Sequence, residues 1–223
     1  MRVVGRVVVS GKALSRVFRL VFGLATFAAT NAASGVASAG PWIEGRGGAG
    51  VTSGHFEYEG EYFDPKTGQT VRFRDEGGPF GIAIGLGAVG GYALNRQFAL
   101  GLTGRIELAP YLEEAHSRYA SIDMHMLYAL GSTFAFRPVH AVELRIAPEW
   151  AFASFAGSNA EIGAADNVFE FESVNGPGLG FSVSYVSEPG WGFSTAANVV
   201  ALSGERTSLT ALTFTLLASY STW

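Results

Sequence analysis

From Gly40 to the C-terminus, apolar residues recur at every second position. Phe80, Ile82, Ile84, Leu86, Ala88, Tyr92 and Leu94 share one parity, against Gly81, Ala83, Gly85, Gly87, Val89, Gly91 and Ala93. Phe98, Leu100, Leu102, Ile106 and Leu108 stand against Thr103, Arg105 and Glu107. Ile122, Met124, Met126, Tyr128, Leu130, Phe134 and Phe136 stand against Asp123, His125, Thr133 and Arg137. Four further runs repeat the pattern, at 142–152, 179–185, 191–199 and 212–220. Successive side chains of a strand point to opposite faces, so each run predicts a strand with one apolar and one polar face. The three- and four-residue spacing of an amphipathic helix fits none of them.

A weaker run, Trp42 to Ser53, supplies a first strand with Ile43, Gly45, Gly47, Ala49 and Val51 on its apolar parity and brings the number to eight. An even number returns the chain to the side on which it started. The connections alternate as well. Asn95-Arg96-Gln97, Arg137 to His140 and Ser187 to Gly190 are short. Glu113 to Arg118, the segment 156–177 and Gly204 to Thr207 fall at the other end, as does a long first connection. Short turns at one end and longer loops at the other describe a transmembrane barrel, whose strands need ~9–11 residues each. Tyr92, Phe98, Phe134, Phe136, Tyr185, Trp191, Phe193 and Tyr220 gather near the short-turn end; Phe80, Trp150, Phe152 and Phe181 lie nearer the other. Aromatic rings favour the headgroup level, so two belts predict two membrane interfaces.

The first 39 residues read differently. Arg2, Arg6, Lys12, Arg16 and Arg19 precede a short apolar core, Leu20 to Ala29, and Ala37-Ser38-Ala39 forms an A-x-A site. That is the layout of a secretory signal peptide. Its removal leaves all 19 acids but only ten basic residues, a net charge of −9 on 40–223 in place of −4 on the whole chain. An acidic exported domain lacks the basic field that draws nucleic acid. The absence of cysteine excludes disulfides, thiol nucleophiles and Cys-ligated metals.

With these features the chain resembles the small eight-stranded outer-membrane barrels of the OmpA/OmpX type, over the whole of 40–223. The resemblance implies an all-β, antiparallel up-and-down barrel in the outer membrane of a Gram-negative-type envelope, with both termini periplasmic. It implies contact with membrane lipids including lipopolysaccharide, and with the barrel assembly machinery, which reads a terminal aromatic residue. Trp223 is such a residue, out of phase with Tyr220, Ala218 and Leu216, which predicts a bulge near the end.

The inward parity carries Glu44, Arg46, Arg105, Glu107, Asp123, His125, Glu143, Arg145 and Glu149. An eight-stranded barrel is only wide enough for side chains to fill, and buried charges must pair. A lumen plugged by Arg–carboxylate pairs is therefore expected, with inward Gly81, Gly85, Gly87 and Gly91 making room for arginine. A narrow path for ions or small solutes is the alternative.

Chemical motifs are weaker. Gly85 to Gly90 matches GxGxxG, with Glu107 about twenty residues on, but a turn and another strand follow where a dinucleotide site needs a helix N-terminus. Ser121, Asp123 and His125 share one parity and suggest a triad, the constellation of a lipid A-modifying barrel enzyme. Alternate residues of a strand sit ~6.6 Å apart, too far for them to bond in sequence. His55, His116 and His140 show no second ligand at metal spacing, and Glu161, Asp166, Glu170 and Glu172 lack a regular calcium pattern. No cofactor, metal or catalytic residue is expected.

The first outer connection, 55–79, keeps alternating. Phe56, Tyr58 and Tyr62 lie on one face, Glu57, Glu59 and Glu61 on the other, and Asp64 to Gly68 forms a turn. Folding there sets Glu61 against Arg72 and Glu59 against Arg74, and brings Phe73 to the hairpin. The hairpin either offers a sheet edge to a surface protein partner or packs its aromatic face over the barrel mouth. The expected role is structural, adhesive or surface-interacting, through this hairpin and the loop 156–177.

Overall fold

The computed structural model describes residues 40–64, 66–113, 121–139, 141–158, 173–187 and 190–221. The predicted signal peptide, Trp223, His116, His140 and the acids of the 156–177 loop lie outside them. The described chain forms nine strands: β1 (Gly40–Asp64), β2 (Gln69–Gly77), β3 (Phe80–Ala93), β4 (Phe98–Glu113), β5 (Ser121–Val139), β6 (Val142–Ser158), β7 (Val174–Val186), β8 (Trp191–Ser203) and β9 (Thr207–Ser221). Every pairing is antiparallel: β1 pairs with β2 and β3, each later strand with its chain neighbour, and β9 closes on β1. Eight strands therefore make a closed barrel, and β2 is the outer continuation of β3 beyond Gly78-Pro79, paired only with β1. The GxGxxG run lies wholly inside β3, so its glycines belong to the wall.

The wall follows the two-residue period. Outward positions from β1 to β9 hold large exposed apolar residues, among them Ile43, Leu86, Leu102, Leu130, Trp150, Phe181, Phe193 and Leu216. No Asp, Glu, Lys or Arg occupies the outward parity of β1 from Pro41 to Ser53, of β3, or of β6 to β9. Water would oppose such a surface; a hydrocarbon layer favours it. No described helix is long and apolar enough to cross a membrane; crossing, in a barrel, belongs to strands. Tyr92, Tyr185, Trp191 and Tyr220 are exposed at the short-turn end, where Trp191 meets Tyr220 edge to face and Phe98 stacks on Phe136. Trp150 and Phe152 are exposed on the outer half of β6.

The seam needs glycine. A Cβ at Gly48 or Gly50 would collide with the backbone of β9. On β3, a Cβ at Gly91 would collide with the β4 backbone at Leu100 and would also approach Nε1 of the Trp42 indole to 2.8 Å. Of the β3 glycines expected to accommodate arginine, Gly87 lies beside Arg105, whereas Gly81 is required by the backbone at Pro110.

Candidate functional site: the lumen and the surface hairpin

Two ion-pair networks fill the lumen. The lower, nearer the short turns, joins five residues. Arg46 pairs with Glu44 at 2.7 Å, Arg145 pairs with Glu44 at 2.6 Å and with Glu143, and Arg137 pairs with Glu143 at 3.2 Å. The guanidinium of Arg145 also lies 5.1 Å from the Trp42 ring. Strand alternation puts these side chains inside, and burial makes their pairing obligatory. The upper network centres on Arg105, which holds Glu107 at 2.7 Å and Glu149 at 2.9 Å. Thr213 donates to Glu107 at 2.9 Å and lies 3.1 Å from the Thr52 hydroxyl. His125 is 3.6 Å from Glu107 through Nε2, and its Nδ1 is 2.5 Å from the Tyr111 hydroxyl. With the ring proton on Nε2, Tyr111 donates to Nδ1 and the ring proton faces the carboxylate.

Between the networks lies a cavity of ≈ 70 Å³, lined by Arg46, Arg105, Arg145, Glu149, Asn198 and Thr215 among others. It has room for a few waters and falls below the ~300 Å³ at which small-molecule sites begin.

Above the charges the lumen turns apolar. Phe56, Tyr58, Leu127, Val174, Val200, Leu202 and Leu209 form one buried cluster, with Phe73, Tyr111 and Phe155 packed against it. The expectation of a polar plug is thus corrected for the outer half. There the inward parity of β7 to β9 carries Val, Leu and Ala, which fill space without needing partners. Phe56 meets Phe155 edge to face at 5.4 Å, and Tyr58 lies 5.9 Å from Phe73. The aromatic face of the hairpin closes the barrel mouth. Tyr62 pairs with Val71 in the backbone register, and its side chain lies outside the described residues.

Of the nine charged or titratable residues predicted for the lumen, eight line it. Asp123 does not: it is exposed. The β5–β6 register shifts between Ile122 and Met124, so Asp123 is the extra residue of a bulge and its parity no longer counts. The Ser121–Asp123–His125 constellation is not assembled, because Asp123 is exposed while His125 is 1% exposed. Arg137 joins the lumen although the pattern had not placed it in the network. Its parity was the available signal, obscured by its position next to a turn.

The hairpin keeps the register expected of it, with Glu59 opposite Arg74 and Glu61 opposite Arg72. Gly68 takes φ 67° in the turn. Arg72 pairs with Glu61 at 2.7 Å, but Arg74 reaches diagonally to Glu57 at 2.5 Å and lies 3.6 Å from Glu59. Its outward face also brings His55 beside Glu57 and Glu76, which corrects the view that His55 has no second ligand near it.

No family model and no curated protein matches this sequence. Solved structures do. Outer membrane protein OprG from Pseudomonas aeruginosa is 12% identical and superposes with a TM-score of 0.52, covering 83% of this chain and 97% of that one. Neisserial surface protein A (NspA) is 12% identical, with coverage of 82% and 98% and a TM-score of 0.49. Ail, the attachment invasion locus protein of Yersinia pestis, solved in complex with the heparin analogue sucrose octasulfate, is 14% identical, with coverage of 80% and 98% and a TM-score of 0.46. Such low identities compare backbones, and the backbone here is that of the small eight-stranded outer-membrane β-barrels.

Proposed function

We propose that the chain is a non-enzymatic integral outer-membrane protein with its termini in the periplasm, acting at the cell surface through the hairpin 55–79 and the loop 156–177. One observation carries this reading: the lumen is plugged by two ion-pair networks below and an apolar cluster above, with a cavity of only ≈ 70 Å³ between the networks. A filled lumen leaves the outer surface as the place for a task. There β1 and β2 rise past the barrel, and no described strand pairs with the far edge of β2. An open edge accepts a strand from a partner.

The test has two arms. Purified protein in planar bilayers is expected to show no stepwise conductance; steady single-channel currents would favour the narrow-channel alternative and overturn the reading. Cells carrying a variant with residues 60–73 replaced by a two-residue turn are expected to lose surface attachment while the barrel keeps its heat-modifiable gel mobility. Unchanged attachment would remove the hairpin from the proposal. A change in lipid A chemistry that depends on His125 would instead favour the enzyme alternative.

A further inference from the structure

We propose that His55, Glu57 and Glu76 bind a divalent transition-metal ion of zinc's class, at the base of the hairpin on its outward face. The three positions are fixed by strand geometry. His55 and Glu57 are two residues apart on β1 and share a face, and Glu76 on β2 is directly opposite Glu57. Their candidate ligand atoms all lie within 4.8 Å of one another. His55 Nε2 and Glu57 Oε1 are 3.3 Å apart, close to the ~3.4 Å edge of a tetrahedron with bonds of about 2.1 Å. The remaining edges are at most 4.8 Å, and binding would draw the exposed His55 and Glu76 side chains in to that length.

Energetics point the same way. Two glutamates directly opposite on neighbouring strands repel. Arg74 holds Oε2 of Glu57 and leaves Oε1 turned toward His55. A bound cation would relieve the repulsion, and Arg74 would orient its carboxylate ligand from behind. One imidazole nitrogen with two carboxylate oxygens suits zinc, and a fourth position stays open outward. The site lies just beyond Ser53, the last outward residue of β1 in the uncharged band, so that open position faces the headgroup level.

The experiment is calorimetric titration of the untagged, chelator-treated protein in detergent with zinc chloride and, separately, calcium chloride. One saturable zinc site per chain is expected, with calcium much weaker. His55→Ala and Glu76→Gln should each weaken zinc by about tenfold or more, with heat-modifiable mobility unchanged. The His116→Ala, His140→Ala double variant should bind as the parent does. Absence of a saturable zinc site, parental affinity in His55→Ala, or equal affinity for calcium and zinc would each overturn the proposal, the last by showing an unspecific acidic patch. Because no membrane partner enters the titration, its outcome is independent of the surface role proposed above.

Discussion

Replacing Arg105 should destabilise the barrel more than replacing Arg145, although Arg145 is the more deeply buried of the two, at 2% side-chain exposure against 14%. The reason is what each leaves behind. Without Arg145, Glu44 keeps Arg46 at 2.7 Å and Glu143 keeps Arg137 at 3.2 Å. The lower network then holds two arginines and two glutamates. Arg145→Met should therefore cost about 2 kcal/mol, for the lost charged hydrogen bonds and the contact with Trp42. Arg105 is the arginine shared by Glu107 and Glu149. Arg105→Met leaves two buried carboxylates facing each other, with His125 and Thr213 able to help only Glu107. Stranding a buried charge costs about 3–5 kcal/mol. Neutralising the stranded pair should reverse the loss, so the triple variant Arg105→Met, Glu107→Gln, Glu149→Gln is expected within about 1 kcal/mol of the parent. Equilibrium urea unfolding in lipid vesicles, followed by tryptophan emission, measures all three. If Arg145→Met cost as much as Arg105→Met, or if the triple variant were less stable than Arg105→Met, the account of the lumen by counter-charge would be wrong.

Other consequences can be checked on the same footing. Phe214, midway along the outward face of β9, should cost about 2–4 kcal/mol as Phe214→Arg, against about 0–1 for Phe193→Arg near the interface. Equal losses in vesicle unfolding would contradict the assigned depth of the band. Tyr111→Phe removes the hydroxyl bonded to His125 and should lower stability by about 1 kcal/mol. In the NMR spectrum it should also shift the His125 ring resonances, and an unmoved ring would show that the contact does not form. Gly68→Ala puts a side chain on a left-handed backbone and should weaken the hairpin by about 1 kcal/mol. Amide exchange of residues 69–74 should quicken several-fold while global unfolding stays put, and unaltered exchange would refute the turn geometry.

The barrel was legible because its signal is redundant. A one-residue error in register turns every side chain of a strand to the wrong face, so eight alternating runs constrain one another. The lumen was legible for the same reason wherever alternation is unbroken, as from Arg105 to Glu107 and from Glu143 to Glu149. It failed at Asp123, where a bulge adds a residue and only Ser121 and Ile122 precede it in the strand, too few for a phase break to show. The apolar outer half was hidden for another reason. Val199 to Leu202 is apolar at every position, so hydropathy there does not say which face is inside, and Leu209 lies ahead of the alternating run 212–220. The pairing of His55 with Glu76 needed the register of β1 on β2, a relation across 21 positions that local spacing does not carry.

The sign of the charges supports the proposal that the lumen does not conduct. Counting His125 as neutral, the lower network has three arginines and two glutamates, and the upper has one arginine and two glutamates. They are opposite in net sign and stacked along one axis. Conducting pores line their constrictions with a single sign, or with carbonyl oxygens, so that one class of ion enters and leaves easily. Here a cation favoured by the upper network meets the arginines below, and an anion favoured by the arginines meets the glutamates above. On the proposed reading neither passes without the networks coming apart, and opening either exposes buried charge at a cost of several kcal/mol per ion. Four glutamates against four arginines make a neutral plug whose members hold one another in place. We propose that its physical role is to fix the barrel, against which the apolar outer cluster and the hairpin resting on it are positioned.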